Sequence, residues 1–266
     1  MDSNGVTPVL PIFEDAWTNA IWAKQRIDNF DPFFAHYAKT SVSASVKMIN
    51  PDSPDYAQHF IAEAQPFPFP LGIAVGEIIR NLRASLDYAV CAMASAQGAT
   101  DAALEGFYFP IARDENAYEN IVESRAIKNT LSGLRPFFRD QVKATPTGNR
   151  ALWSLNEIDR LNKHRSIPVI FTTIFTALPD WPGARGNVAA VNPGGKIAIS
   201  IPRQLYFEEN HQFDRAVDVR FGRMNVFEGE PVIPVLAQLF HATTEMLGEI
   251  QTAYVAADVA PKFYPT

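Results

Sequence analysis

Residues 71–97, LGIAVGEIIRNLRASLDYAVCAMASAQ, run 27 positions without a proline and are bracketed by breakers. Before them stands Gln65-Pro66-Phe67-Pro68-Phe69-Pro70, whose alternating prolines impose extended, polyproline-like backbone. After them stands Gly98, suited to a left-handed helix cap. At 100° per residue Val75, Ile78, Ile79, Leu82, Leu86, Ala89, Val90 and Met93 fall on one side. Glu77, Arg80, Asn81, Asp87 and Tyr88 fall on the other, with Arg83 at the margin. The segment is therefore an amphipathic helix with one face for a core. Its polar face is expected to be solvated surface, with Arg83–Asp87 paired at i,i+4 and Glu77 paired to Arg80 or Asn81.

A second polar helix is expected over 149–165, NRALWSLNEIDRLNKHR. Asn162 and Arg165 continue the apolar stripe of Ala151, Leu155 and Ile158, so they need polar partners. Trp153 stands among Asn156, Glu157, Arg160, Lys163 and His164, where it is either covered by a neighbour or free to stack on a ligand.

The flanking sequence defines an α+β chain. Residues 12–38 have helical periodicity broken near Asp31-Pro32, which reads as an N-cap followed by proline at the first helical position. Residues 41–49 alternate, with Val42, Ala44, Val46 and Met48 on one face, and 56–64 return as a partner strand, forming a hairpin over 41–64 around a turn at 50–54. Phe67 and Phe69 are expected to pack down onto the body. Asp114 opens a helix through Val122, and 124–143 is helical in pieces broken at Gly133 and Pro136. Residues 167–177 form a strand rich in β-branched and aromatic residues, followed by a turn at 179–183. Residues 187–191 and 196–201 read as a hairpin around Asn192-Pro193-Gly194-Gly195, and 216–227 as a further strand. A final apolar helix covers 232–257. The expectation is one α+β domain over 1–266: about five helices packed with a mostly antiparallel sheet. It is helix-rich over 1–165, with the hairpin 41–64, strand-rich over 166–228, and closed by the 232–257 helix.

A net charge of −6 disfavours generic affinity for nucleic acid or anionic membrane, although a local basic patch would still suffice for either. The first residues lack a basic region before an apolar core, and no stretch is apolar enough for a bilayer. With one cysteine, Cys91, in a small-residue helical run, the reading is a packing thiol in a cytoplasmic protein. His36, His59, His164, His211 and His241 have no metal-ligand spacing, and there is no phosphate-loop or nucleophile-elbow motif. No metal or cofactor is expected.

GEIIRNLRASLDYAV, then FYFPI, then ALWSLNEIDRLNKHR resembles, in order and spacing over about residues 70–165, an uncharacterised family of bacterial proteins. Its members carry a GxxxHNLRSALDH-like helix, an FPI segment and a helix ending in (N/D)KHR. This chain has Arg80 where they have His, and Tyr88 where they tend to have His. The likeness implies kinship and no activity. The chain also resembles HEPN-type helical proteins, whose ribonuclease members place Arg, a polar residue and His on one helix as Rx4–6H. Arg80-Asn81 gives that opening without the histidine, and Arg160 and His164 stand too close to complete it.

Three readings follow. One is a binding or interaction protein with a polar site between the two helices, using Arg83, Asp87, Asn162, Lys163, Arg165 and Trp153. Another is a metal-independent ribonuclease in which His164, the best-placed acid–base group, converges with Arg80 and Asn81. The last is an anion- or nucleotide-binding module using Arg80, Arg83, Lys163 and Arg165. Whether the protein is an enzyme stays open. Its partner is an unidentified ligand with anionic character, and the Phe/Pro segment and final helix offer a contact for a homodimer.

Overall fold

A computed structural model describes residues 9–48, 56–124, 126–176, 187–202 and 213–257. The turns expected at 50–54 and 179–183, and His211, lie outside the described residues. The fold is α+β, with eight α-helices among the described residues where about five were expected. Two of the extra ones are single turns, Asp101–Leu104 (α4) and Arg135–Phe137 (α6). The chain divides into two compact units.

The first unit comprises Met1–Ile27, Ile73–Ile167 and Pro234–Thr266. It holds most of α1 (Glu14–Asp28) and α3 (Leu71–Ala96), all of α5 (Glu115–Val122) and α7 (Arg150–Asn162), and most of α8 (Val232–Ala256). All eight residues assigned to the apolar face of α3 are fully buried. Truncating one such leucine, Leu82 or Leu86, would cost about 2–5 kcal/mol. The helix ends where Gly98 takes a φ of +85°. Asp114 caps α5 by accepting from the Ala117 N–H at 2.8 Å, and Asn149 caps α7 by accepting from the Leu152 N–H at 3.3 Å. The stripe of α8 from Val232 through Leu239, Thr243 and Ile250 is buried. Phe13 meets Tyr254 edge-on at 5.7 Å, and the Leu10 N–H donates to Gln251 Oε1 at 3.1 Å, fastening the start of α1 to α8.

Between α5 and α7 the chain runs through short π and 3-10 turns. Pro136 does not break this run; it sits in the first turn of α6, where no N–H is required. The α7 helix stops at Asn162, so Lys163, His164 and Arg165 form the turn beyond it and not its last turn.

The second unit comprises Asp28–Gly72 and Pro168–Ile233. Helix α2 (Phe30–Thr40) begins after Asn29, slightly earlier than Asp31-Pro32 implied, and Pro32 lies harmlessly in its first turn. Strands β1 (Val42–Met48) and β2 (Tyr56–Ala64) pair antiparallel, Val42 opposite Ala64, as the expected hairpin. Met48, at the strand end, is exposed. Strands β3 (Val169–Thr176), β4 (Asn187–Val191), β5 (Lys196–Pro202) and β6 (Asp214–Phe221) complete two antiparallel sheets, ordered β1-β2-β5 and β4-β3-β6. The expected β4–β5 hairpin is therefore corrected. Gly194, at φ +74°, donates its N–H to the Ala64 carbonyl, and the chain turns the corner from one sheet to the other. Strand β6 stops at Phe221, short of the expected 227; bends and turns follow, with Phe227 and Gly229 at positive φ.

Aromatic packing closes this unit. Phe60 of β2 meets Phe175 at 5.3 Å and Phe213 at 4.7 Å, so the two sheets share a core. Phe67 packs on Phe33, Phe34, Tyr37 and Phe171. The Phe/Pro segment is thus committed within its own unit, as its sequence suggested.

Candidate functional site

Helices α3 and α7 run antiparallel and are tied at two points. Asn162 Nδ2 donates to the Gly76 carbonyl at 3.1 Å, and Arg83 Nε donates to Asn156 Oδ1 at 3.3 Å. Gly76 permits the first tie: a Cβ there would stand 2.2 Å from Asn162 Oδ1.

Arg83 is not the marginal surface residue that its wheel position implied; it is only 8% exposed. Its remaining donors reach Asp87 Oδ1 at 2.5 Å and the Phe109 carbonyl at 3.2 Å. Asp87 Oδ1 also accepts the Phe109 N–H at 2.8 Å. The guanidinium thus joins α3, α7 and the extended 107–111 segment. Glu77 takes a partner other than those expected, pairing with Arg26 of α1. Both of those side chains are well exposed, so the pair is worth little.

On α7, Asp159 is nearly fully buried and binds Lys163 Nζ through Oδ2 at 2.9 Å, while its Oδ1 is buried without a hydrogen-bond partner. The sequence reading missed Asp159, although its i,i+4 acid-then-base spacing with Lys163 was a signal for it. Phe109 was equally missed, because its contribution is backbone.

Of the residues singled out from the sequence, Arg83, Asp87, Asn162 and Lys163 enter this network. Arg80, His164 and Arg165 are exposed, Asn81 and Trp153 half-buried, and none makes a side-chain hydrogen bond or ion pair with the described residues. Arg80 shares the Gly76–Arg83–Asp87 stripe of α3 and lies between the two ties, one turn or about 6 Å from Gly76. His164 lies beyond the Asn162 tie.

Burial pushes the Asp87 carboxyl above its ordinary value; Arg83, the Phe109 N–H and Lys163 pull it down without cancelling that shift. Folded Asp87 therefore holds its proton to higher pH than unfolded Asp87. The stability this gives is present below the ordinary carboxylate pKa and is lost as pH rises through the raised folded value. Relative to Asp87→Asn, the wild type is expected to lose stability as pH rises above the ordinary carboxylate range, about pH 4. Urea unfolding of both proteins across that rise checks it; a difference that stays flat contradicts the raised carboxyl.

Cys91 Sγ donates to the Phe107 carbonyl at 3.4 Å, and burial, with Asp87 nearby, pushes its thiol up, away from nucleophilic use. Among the described residues no group of His, Cys, Asp and Glu could hold a metal ion, and no helix is long and apolar enough to cross a membrane. Comparison of the chain with protein-family models, curated proteins and solved structures gives no match.

Proposed function

We propose that this is a binding protein whose α3–α7 seam recognises a small anionic ligand and performs no chemistry on it. The carrying observation is a division among the polar groups. Arg83, Asp87, Asn156 and Asn162 are spent holding the helices together, whereas Arg80, His164 and Arg165 are exposed and engage no described side chain. Lys163, half-exposed and paired with Asp159, adds a third cation to the two arginines. Arginines free of competing carboxylates favour phosphate or carboxylate, and a nucleotide falls within that class. The single thiol supports a reducing cytoplasm as its compartment. The ordered motifs over 70–165 support kinship with the bacterial family that they resemble.

The ribonuclease reading would need His164, Arg80 and Asn81 to converge. His164 has no orienting partner among the described residues, so no described side chain holds it toward Arg80 and Asn81. In a test of both readings, labelled single-stranded RNA is expected to stay intact with the wild type. Pyrophosphate at ten times its Kd should raise the melting temperature by roughly 2–4 °C. RNA cleavage that disappears in His164→Ala would replace this proposal with the enzyme.

A further inference from the structure

Helix α3 is tied on both flanks. Its Gly76 carbonyl accepts from Asn162 of α7, and one residue further on Glu77 pairs with Arg26 of α1. At 100° per residue, Arg80 projects about 40° from Gly76 and about 60° from Glu77, between the two attachments. Ile73 projects into the same interval, about 60° from Gly76 and about 40° from Glu77. Both side chains are exposed. An open strip of α3 thus runs between α7 and α1. A long helical side chain leans back over the preceding turn, so Arg80 covers the turn that carries Gly76 and Glu77.

The α1 flank carries an aromatic ring. Trp22 stands one turn before Arg26, whose guanidinium lies over the indole at 5.4 Å from its centroid. Tryptophan is ordinarily a well-buried residue. Trp22 is 52% exposed, and it is the only exposed tryptophan among the described residues. Indole, guanidinium and carboxylate form a row, Trp22–Arg26–Glu77, that ends within one turn of Arg80. The same edge therefore presents an open aromatic face and a cation with no described partner.

We propose that the anion bound at this edge is the phosphate of a nucleoside phosphate, whose base stacks on Trp22. The inference rests on the anion-binding reading given above. Arg26 lies over one face of the indole, which leaves the other, exposed face to the base. Arg80 supplies charge-assisted hydrogen bonds to the phosphate. The 163–165 turn, which follows directly on Asn162, brings Lys163 and Arg165 from the α7 flank. Every base has a face to stack, so the row defines a nucleoside and not a particular base.

Calorimetric titration of ADP, of ribose diphosphate, which lacks only the base, and of pyrophosphate tests this in the wild type and in Trp22→Leu, a change at an exposed position. A stacked base is worth about fivefold or more in affinity, so ADP should bind the wild type at least that much more tightly than ribose diphosphate. In Trp22→Leu the two should bind equally, while pyrophosphate binds as it does to the wild type, which also shows that the variant is folded. Equal affinities of ADP and ribose diphosphate for the wild type overturn the inference. So does an advantage for ADP that persists in Trp22→Leu. In either case, pyrophosphate binding to the wild type leaves the anion-binding reading standing. No binding of pyrophosphate removes that reading, and the inference with it.

Discussion

Arg83→Met is expected to lower the stability of the first unit by about 3–5 kcal/mol, the cost of removing one partner from a buried ion pair. Arg83 holds three acceptors at once: Asn156 Oδ1, Asp87 Oδ1 and the Phe109 carbonyl. Its loss leaves Asp87 with only the Phe109 N–H at that oxygen, in a setting that already penalises the charge. Lysine is no substitute, because a single ammonium cannot reproduce the planar fork. Arg83→Met/Asp87→Leu should recover most of the loss, since a pair removed together leaves no orphaned charge. Denaturant unfolding of the two single variants and the double variant gives the coupling directly. If Arg83→Met alone costs under 1 kcal/mol, the network is ordinary surface and the α3–α7 seam is not locked as described.

Gly76→Ala should destabilise by about 2–3 kcal/mol, although alanine is the better helix former by roughly 1 kcal/mol. The collision decides the sign. The new methyl would stand 2.2 Å from Asn162 Oδ1, and Asn162 cannot retreat without giving up its bond to the Gly76 carbonyl. In an Asn162→Ala background the obstruction is gone, and the same substitution should become stabilising by up to about 1 kcal/mol. Thermal melts of the four proteins in this cycle test it. A Gly76→Ala effect with the same sign in both backgrounds rules out the close approach.

Much of the fold was legible because it follows from periodicity. The α3 and α8 stripes, the β1–β2 hairpin and the Asp114 cap are local patterns with one physical solution. Partnership between strands was not legible. The residues flanking Asn192-Pro193-Gly194-Gly195 have the strand composition and turn chemistry of a hairpin, yet β5 pairs with β2, far away in sequence. Nothing local separates a tight hairpin from a corner between sheets. The site divides in the same way. The wheel put Arg83 at a margin, and only the approach of the 107–111 segment and α7 shows that it is enclosed. Glu77 was paired within its own helix, whereas its partner Arg26 comes from α1. Asn162 was correctly read as an inward polar residue in need of a partner, because an apolar stripe continued through it; Arg165, read the same way, is exposed because α7 ends at Asn162. Its partner, the Gly76 carbonyl, is a backbone atom that no side-chain pattern reports.

The proposal that the seam binds anions rests on cations standing free beside a lock already made. Calorimetric titration of pyrophosphate into the wild type and into Arg80→Gln/Arg165→Gln, with Lys39→Gln/Lys47→Gln as a control for net charge, is its most direct test. One site per chain is predicted, weakened tenfold or more in the double variant, about 1.4 kcal/mol or greater, and nearly unchanged in the control. Equal affinity in all three proteins, or no binding to the wild type, would contradict it.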